Sequence, residues 1–237
     1  MKHLALLLAL ACAACVPSQG GGPGGPSLRP TANPSAVIAA ELGFSQLAQI
    51  KGQWTAFRAT AAENAELFVP ERVPAEAWLK GRADPTVPVR WQPHAVWSSC
   101  DGSYAVTRGA WERPGSAGTY VTVWQRQKDG KYKWRLDMSL ADERAAPAPE
   151  MVTARVADCG KSPEQRASLA AMAAAVPASA GAYDASGKPI GSLGIAGDAT
   201  LGWETRADKG DRRFKLLLWN GKDFETVIDI TDLAQPR

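Results

Sequence analysis

Hydrophobic positions in the first third of the chain recur at the spacing of an α-helix. Between residues 35 and 61 apolar side chains return every three or four positions, which predicts one long helix or two abutting helices with a break at Gly52. A short strand at 66–69 and a short helix at 74–80, opened by Pro74, are predicted next. This part of the chain therefore predicts helices that present one apolar face to a partner layer.

Further along, the hydrophobic period changes from that of a helix to that of a strand. Four strands are predicted, at residues 87–99, 103–112, 119–127 and 131–140. Asp-Gly pairs at 101–102 and 129–130 supply hairpin turns between them. In the last strand Leu136 and Met138 share an apolar face with Tyr132, Trp134 and Leu140, whereas Asp137 points the opposite way. Helices followed by an antiparallel meander predict an α+β domain with the helices on one sheet face.

The final third of the chain predicts a smaller unit of one helix and a β-meander. Residues 141–161, rich in Ala and Pro at the start, predict a connector. Ser162-Pro163-Glu164-Gln165 is typical of a helix start, and this helix is expected to run to about Val176. Three strands are predicted at residues 200–206, 213–219 and 224–230, with Asn220-Gly221 as a turn. Because the unit of residues 162–237 has few large apolar side chains, we expect it to dock on the preceding domain.

Composition adds limits to this picture. Hydrophobic residues make up 45% and charged residues 22% of the 237 residues, which indicates a packed core rather than a disordered chain. The net charge of +3 comes from 27 basic and 24 acidic residues without a basic run, so nucleic acid is not an expected partner. Nine Trp against five Phe and four Tyr is an unusual excess of indole, which is suited to lining a core or a pocket.

The N-terminus predicts export and a lipid anchor. Residues 1–14 combine a positive start with a short apolar stretch, as in a secretory signal peptide. Small residues before Cys15 resemble the lipobox of bacterial lipoproteins, although Cys12 stands where that motif usually has Leu. Lipidation of Cys15 is the choice that leaves an even number of cysteines. Residues 15–34 then form a flexible linker, and the protein is expected on the periplasmic side of the bacterial cell envelope; a soluble periplasmic or secreted protein is the alternative.

Two cysteines remain in the folded part, Cys100 and Cys159. In an exported protein a disulfide is the default for such a pair, and two buried free thiols are the alternative. A metal site is not expected, because His94 is the single histidine left after signal removal and neither cysteine has a ligand at metal-binding spacing. We predict no cofactor.

Several short motifs, taken in order, resemble one protein family. They are Phe68-Val69-Pro70, Trp78-Leu79, Trp91-Gln92-Pro93, Gly109-Ala110-Trp111-Glu112, residues 118–127, Asp129-Gly130 and Trp134-Arg135-Leu136-Asp137. Together they resemble the SnoaL-like branch of the nuclear transport factor 2-like superfamily over residues 35–140. The resemblance implies a cone, in which helices are wrapped by a curved antiparallel sheet that encloses a pocket. Its members include ketosteroid isomerases, polyketide cyclases, dehydratases and many proteins without a known activity. A cysteine in Cys100-Asp101-Gly102-Ser103 departs from the Gly-Asp-Leu-Gly-like turn of the family.

The sequence assigns no catalytic residue, and it offers two candidates for a general base. His94 is one, with a surface or strand-edge position as the competing interpretation. Asp137 is the other, because the resemblance places an acidic residue near the end of the last strand; its position opposite the apolar face favours a surface or ion-pair role instead. The residues expected to line a ligand pocket are Trp54, Phe57, Arg58, Trp78, Tyr120 and Trp134.

Three functions follow from these patterns. The first is a non-catalytic binding or accessory module whose pocket takes a small apolar molecule. The second is a SnoaL-like isomerase or cyclase, and the third is an envelope protein-interaction module; a homodimer is left open. A pocket with one ionisable group of shifted pKa favours the enzyme. A purely apolar pocket favours binding, and a filled domain with an exposed apolar patch favours the protein partner.

Overall fold

The computed structural model describes residues 31–141, 147–160, 162–176 and 180–232. In these residues the protein is α+β, with four helices and eleven strands arranged in two sheets. The predicted class is therefore confirmed. The predicted signal peptide and the lipid site Cys15 lie outside the described residues. No helix of the described part is long and apolar enough to cross a membrane.

Three helices form the first layer of the fold. They are α1 (Pro34–Lys51), α2 (Gln53–Thr60) and α3 (Ala75–Leu79). The side chain of Asn33 caps α1 by accepting a hydrogen bond from the backbone of Ala36, at 3.1 Å. Gly52 separates α1 from α2 with a φ of 104°, a conformation that favours glycine, so the predicted helix break is confirmed.

A curved seven-stranded sheet packs against these helices. Its strands are β1 (Ala61–Phe68), β2 (Arg72–Pro74), β3 (Arg90–Ser98), β4 (Tyr104–Arg113), β5 (Ser116–Arg126), β6 (Tyr132–Ala141) and β7 (Thr153–Val156). The order across the sheet is β2-β1-β6-β5-β4-β3-β7. Strands β3 to β6 form the expected antiparallel meander, but β1 pairs with β6 and β7 pairs with β3 in parallel. The sheet is therefore mixed. Parallel strands need a long connection, and in both parallel pairs a long stretch of chain separates the two partner strands. Strand β7 lies inside the predicted connector of residues 141–161.

A β-bulge divides the last strand of the meander. Trp134 pairs with Trp124 and Leu136 pairs with Val123, so Arg135 is an extra residue without a partner on β5. The extra residue reverses the side-chain alternation. Trp134 therefore faces the helices, and Leu136 faces the other way. The prediction that these two side chains share one face was wrong for this reason.

The final part of the described chain forms a second, four-stranded sheet and a helix. These elements are α4 (Pro163–Ala175), β8 (Leu193–Ile195), β9 (Leu201–Asp208), β10 (Asp211–Trp219) and β11 (Phe224–Asp232). Ser162 and Gln165 cap α4 reciprocally. The short edge strand β8 is additional to the three predicted strands, and Gly194 within it leaves room for the Trp203 ring on β9. The sheet order is β11-β10-β9-β8.

Both faces of the large sheet are covered. We call the side packed against α1 to α3 the helix-facing side, and the opposite side the outer side. On the outer side one continuous hydrophobic cluster joins the large sheet to the second sheet and to Leu169 of α4. Its members on the two sheets include Phe68, Val121, Leu136, Met138, Leu201, Phe214, Leu216 and Ile228. The smaller unit therefore packs on the large sheet, as its small apolar content predicts.

A disulfide between Cys100 and Cys159 confirms the predicted pairing. It joins the turn after β3 to the segment after β7, with 5.4 Å between the two Cα atoms. Nearby hydrogen bonds link the same turn to the second sheet: Thr200 accepts from the backbone of Cys100 at 2.8 Å, and Asp198 accepts from that of Asp101 at 3.1 Å. The covalent link therefore lies where the two sheets meet.

Candidate functional site

A pocket of about 230 Å³ lies between α2 and the helix-facing side of the large sheet. The lining residues are Gln53, Trp54, Phe57, Leu67, Val69, Val89, Trp91, Trp111, Arg113, Tyr120, Asp137 and Ser139. Most of this wall is aromatic or aliphatic, and a few polar side chains interrupt it. That combination is typical of sites for small organic molecules.

The loop before β3 fixes the helix that supplies two of the aromatic side chains. The Asp84 carboxylate caps the start of α2, accepting from the backbone of Trp54 at 2.5 Å and of Thr55 at 3.0 Å. The Thr55 hydroxyl also donates to Asp84, at 2.6 Å, and this bond lowers the pKa of that carboxyl. Trp54 and Phe57, three residues apart on α2, then point into the pocket and touch at 5.5 Å between ring centroids.

Two glycines of the meander make room for the other large side chains. A Cβ at Gly118 would lie 2.7 Å from the Trp111 ring, and a Cβ at Gly109 would lie 2.8 Å from the Tyr120 ring. Gly109 pairs with Tyr120 across the β4–β5 ladder, and Trp111 pairs with Gly118. Each aromatic side chain therefore lies over a glycine on the neighbouring strand, which shapes the wall of the pocket.

Asp137 is the ionisable group of the pocket whose pKa is most informative. Its side chain is buried, with 8% of the residue exposed, and it accepts a hydrogen bond from the Thr122 hydroxyl at 2.8 Å. Burial, with a smaller contribution from the charge of Glu41, raises the pKa of Asp137 to about 7. The expected surface or ion-pair role is wrong, because the side of β6 opposite Leu136 and Met138 is not the solvent side but the pocket side.

Tyr120 places a hydroxyl group at the same end of the pocket. The side chain is 3% exposed, and among the described residues its hydroxyl has no partner at full hydrogen-bonding geometry. It does lie close enough to the Glu41 carboxyl for each group to change the pKa of the other. Burial and the charges of Glu41 and Asp137 raise the pKa of Tyr120 well above its usual value. The group is therefore a neutral donor at physiological pH, and it is available to a ligand.

Glu41 on α1 is a buried carboxyl that the sequence reasoning missed. It is fully buried and accepts hydrogen bonds from Trp91 at 2.7 Å, Thr107 at 2.5 Å and Trp124 at 3.1 Å. Burial raises its pKa, whereas these three bonds and the interaction with the Tyr120 hydroxyl act in the opposite direction. A signal was present in the sequence, because Glu41 lies four residues after Val37 and three before Phe44, within the apolar stripe of α1.

Of the predicted pocket residues, the structure brings Trp54, Phe57 and Tyr120 to the wall of this pocket and leaves three others outside it. Arg58 turns away and donates to the carbonyls of Leu79 and Arg82. Trp78 packs behind Trp54, at 5.0 Å between ring centroids. Trp134 is fully buried and donates to the carbonyl of Phe57 at 3.0 Å. These three side chains support the pocket from behind.

His94 lies apart from the pocket. It falls at the bulge of β3, where the register shifts between Pro93 and Ala95, and it borders a separate depression near α1. Burial, and then the charge of Arg108, lower its pKa. The structure therefore does not bring this candidate base to Asp137 or Tyr120. Among the described residues no group of three or more His, Cys, Asp or Glu side chains could hold a metal ion.

Comparisons with known proteins give structural likeness only. No family model and no curated protein matches the chain. An NTF-2-like protein of unknown function from Silicibacter pomeroyi is similar to this chain, with 16% identity and a TM-score of 0.35. The alignment covers 46% of this chain and 99% of that protein. A predicted ketosteroid isomerase from Kribbella flavida is similar to 48% of this chain over 84% of its own, with 16% identity and a TM-score of 0.33. A protein of unknown function with a cystatin-like fold from Methylobium petroleophilum is similar to 52% of this chain over 86% of its own, with 11% identity and a TM-score of 0.35. TM-scores of this size do not establish a family.

Proposed function

We propose that this chain is an exported protein, anchored to the bacterial cell envelope through Cys15, that binds a small, mostly apolar molecule carrying one hydroxyl or carbonyl group. In this proposal residues 35–140 form a cone of the nuclear transport factor 2-like type around the pocket. The observation that carries the binding function is the buried hydroxyl of Tyr120 beside Asp137 at the end of an aromatic pocket, without a partner at full hydrogen-bonding geometry among the described residues. A buried polar group without a partner costs free energy, which a ligand hydrogen bond removes.

The pocket favours binding over a purely protein-interacting role. Its space of about 230 Å³ is unfilled by side chains, and it is below the range of pockets for drug-sized ligands. A compact molecule of one or two rings matches this size. Tyr120 supplies a donor, and Asp137 supplies either an acceptor or, when protonated, a donor, so that a single oxygen on the ligand has partners of both kinds.

Calorimetric titration with 2-naphthol tests this function, because the probe has two fused apolar rings and one hydroxyl group. We expect binding by the native protein, and a weakening of about tenfold in both Tyr120→Phe and Asp137→Leu, since each variant removes the hydrogen-bonding group of the side chain. Tyr104→Phe is the matched control for the first variant and Asp223→Leu for the second, because neither residue lines the pocket. Equal affinity in all five proteins would contradict the assignment of the polar end.

Export and anchoring are supported by the signal-like residues 1–14 and by the Cys100–Cys159 disulfide, which is typical of oxidising compartments. Mass spectrometry of the protein extracted from its native membranes tests both. We expect an acyl group on Cys15 as the new N-terminal residue. An unmodified Cys15 in the mature protein would eliminate the anchor and leave the soluble exported alternative.

A second function, acid–base catalysis on a carbonyl compound, is favoured by the pKa of Asp137, because an ionisable pocket group of shifted pKa is the feature expected of an enzyme. Binding is proposed first because catalysis also requires it. A carboxylate with a pKa of about 7 is suited to general base catalysis near neutral pH. In such a reaction Asp137 takes a proton from the carbon next to the carbonyl, the C–H electron pair moves towards the carbonyl oxygen, and the Tyr120 hydroxyl donates a hydrogen bond to that oxygen. Ketosteroid isomerases, to which the motifs of this sequence point, use chemistry of this class.

Hydrogen exchange in the α-position of 2-tetralone, followed by NMR in D₂O, tests the second function. We expect exchange catalysed by the native protein to rise with pH up to about 7, where Asp137 becomes ionised, and then to level off. Asp137→Asn removes the base, and a loss of roughly 10²- to 10⁴-fold is expected. Exchange no faster than in buffer, together with normal 2-naphthol binding, would leave the protein as a binding module alone.

A further inference from the structure

Arg113 is a cationic side chain at the exposed rim of the pocket. It is the last residue of β4 and is exposed, and it is the single Lys or Arg among the described residues that line the pocket. No described residue forms an ion pair with it. Its guanidinium carbon lies 5.9 Å from the centroid of the Trp111 ring. The charge is thus held along an apolar wall, without a neutralising partner among the described residues.

The strand register gives the distance between this charge and the buried polar end of the pocket. Tyr120 pairs with Gly109, and Arg113 lies four residues further along the same strand. Four residues of β-strand span about 13 Å, and residues separated by an even number share one face of the sheet. Trp111, between Gly109 and Arg113, belongs to the same face. The pocket is therefore polar at its buried end, apolar along its length and positively charged at its rim.

We propose that the natural ligand is a small amphipathic carboxylic acid, with its carboxylate at Arg113, its rings or chain along Trp111 and Trp91, and its hydroxyl or carbonyl oxygen at Tyr120 and Asp137. This inference rests on the proposed binding function and names the class of ligand. Arginine presents a planar set of donors that matches the two oxygens of a carboxylate. Among the described residues that line the pocket, Asp137 is the single carboxyl and lies at the buried end, so the rim is the place where an anionic group meets attraction.

Two matched probes test the proposal, 6-hydroxynaphthalene-2-carboxylate and 2-naphthol, which differ in the carboxylate at the far end of the same rings. Titrations at pH 6 keep Asp137 mostly protonated, because its pKa is about 7. We expect the native protein to bind the acid about tenfold more tightly than 2-naphthol, because one hydrogen bond between charged groups contributes a free energy of this size. The preference is expected to shrink as salt is added, because the rim is open to solvent.

Arg113→Gln should bring the affinity ratio of the two probes close to one. Arg113→Lys should retain part of the preference for the acid, since lysine keeps the positive charge but lacks the planar pair of donors that binds both carboxylate oxygens. Arg108→Gln is the matched control, because Arg108 is exposed on the same strand and, by alternation, on its other face. Equal binding of both probes by the native protein would overturn the proposal that the ligand carries a carboxylate. The proposed binding function would then still stand, because 2-naphthol binds. A preference that survives in Arg113→Gln overturns the role of Arg113, and failure of both probes to bind overturns the proposed binding function as well.

Discussion

The two sides of the large sheet are both buried, yet they are built for different purposes. The outer side is a continuous apolar contact with the second sheet, made by side chains such as Val121, Met138 and Phe214. The helix-facing side combines aromatic packing with buried carboxyls at Glu41 and Asp137 and leaves a pocket open. Apolar side chains without polar atoms give stability, whereas buried polar groups cost stability and are retained where a site needs them.

The largest expected effect is the pH dependence that Asp137 imposes on folding. Its pKa is about 7 in the folded protein and 3.8 for an unperturbed Asp, so the folded state holds this proton more tightly. The resulting stability is fully present below pH 3.8 and is lost as the pH rises to about 7. Over that window the free energy of unfolding should fall by on the order of 4 kcal/mol relative to Asp137→Asn.

Urea denaturation of both proteins at a series of pH values measures this difference. Because all other ionisable groups are common to the two proteins, the difference reports Asp137 together with the coupling of its charge to Glu41. Parallel stability curves between pH 4 and pH 7 would show that the group is solvated like an ordinary surface carboxyl, and would remove the main distinction between the two sides of the sheet.

A pair of leucine deletions compares the packing of the two sides directly. Leu216 lies in the outer cluster at 0% exposure, and Leu67 lines the pocket at 1% exposure. Leu216→Ala should reduce the free energy of unfolding by about 3 kcal/mol, because it leaves a closed cavity. Leu67→Ala should cost less, about 2 kcal/mol, because it enlarges a space that already exists. Denaturant midpoints measure both, and the reverse order would contradict the description of the outer side as the closed core.

Gly109→Ala tests how tightly the helix-facing side is fitted around Tyr120. The added Cβ would lie 2.8 Å from the Tyr120 ring and 2.0 Å from the carbonyl oxygen of Gln92, so strand or ring must shift. We expect a loss of about 2 kcal/mol in stability, typical of overpacking, and a weaker affinity for 2-naphthol. Gly202→Ala is the control, because a Cβ there has 3.5 Å to its nearest neighbour. A Gly109→Ala protein that binds normally would show that Tyr120 is not held by this contact.

The smallest expected effect is on the coupling between the two buried carboxyls. The charge of Glu41 contributes to the raised pKa of Asp137, so Glu41→Gln should lower the pKa of Asp137 below its value of about 7. Carbon-13 NMR titration of the Asp137 carboxyl measures this directly. Glu63→Gln, an exposed change on β1, should leave the titration unaltered. An unchanged or raised pKa in Glu41→Gln would show that the two groups do not interact.

Local features of the protein followed from the sequence because short-range chemistry determines them. Gly52 breaks the first helix since its backbone has a positive φ, and the reciprocal cap of Ser162 and Gln165 starts α4. The turn at Asn220-Gly221 forms as expected, with the Asn220 side chain accepting from two backbone groups of its own loop. Pairing of Cys100 with Cys159 followed from counting the cysteines.

The site depended on long-range packing, which no local pattern contains. Alternation along β6 correctly set Asp137 opposite Leu136, but it could not tell which side faces the pocket, because a second sheet covers the side of Leu136. The extra residue Arg135 reversed the face of Trp134, and a bulge is decided by the pairing of two strands. Glu41 stood out in an apolar stripe, yet its partners Trp91, Thr107 and Trp124 lie 50 to 83 residues away. The sequence by itself determined the helices, turns and disulfide. The tertiary structure alone decided which polar groups meet inside the protein, because the interaction between buried polar groups depends on the distance between residues that are remote in the chain.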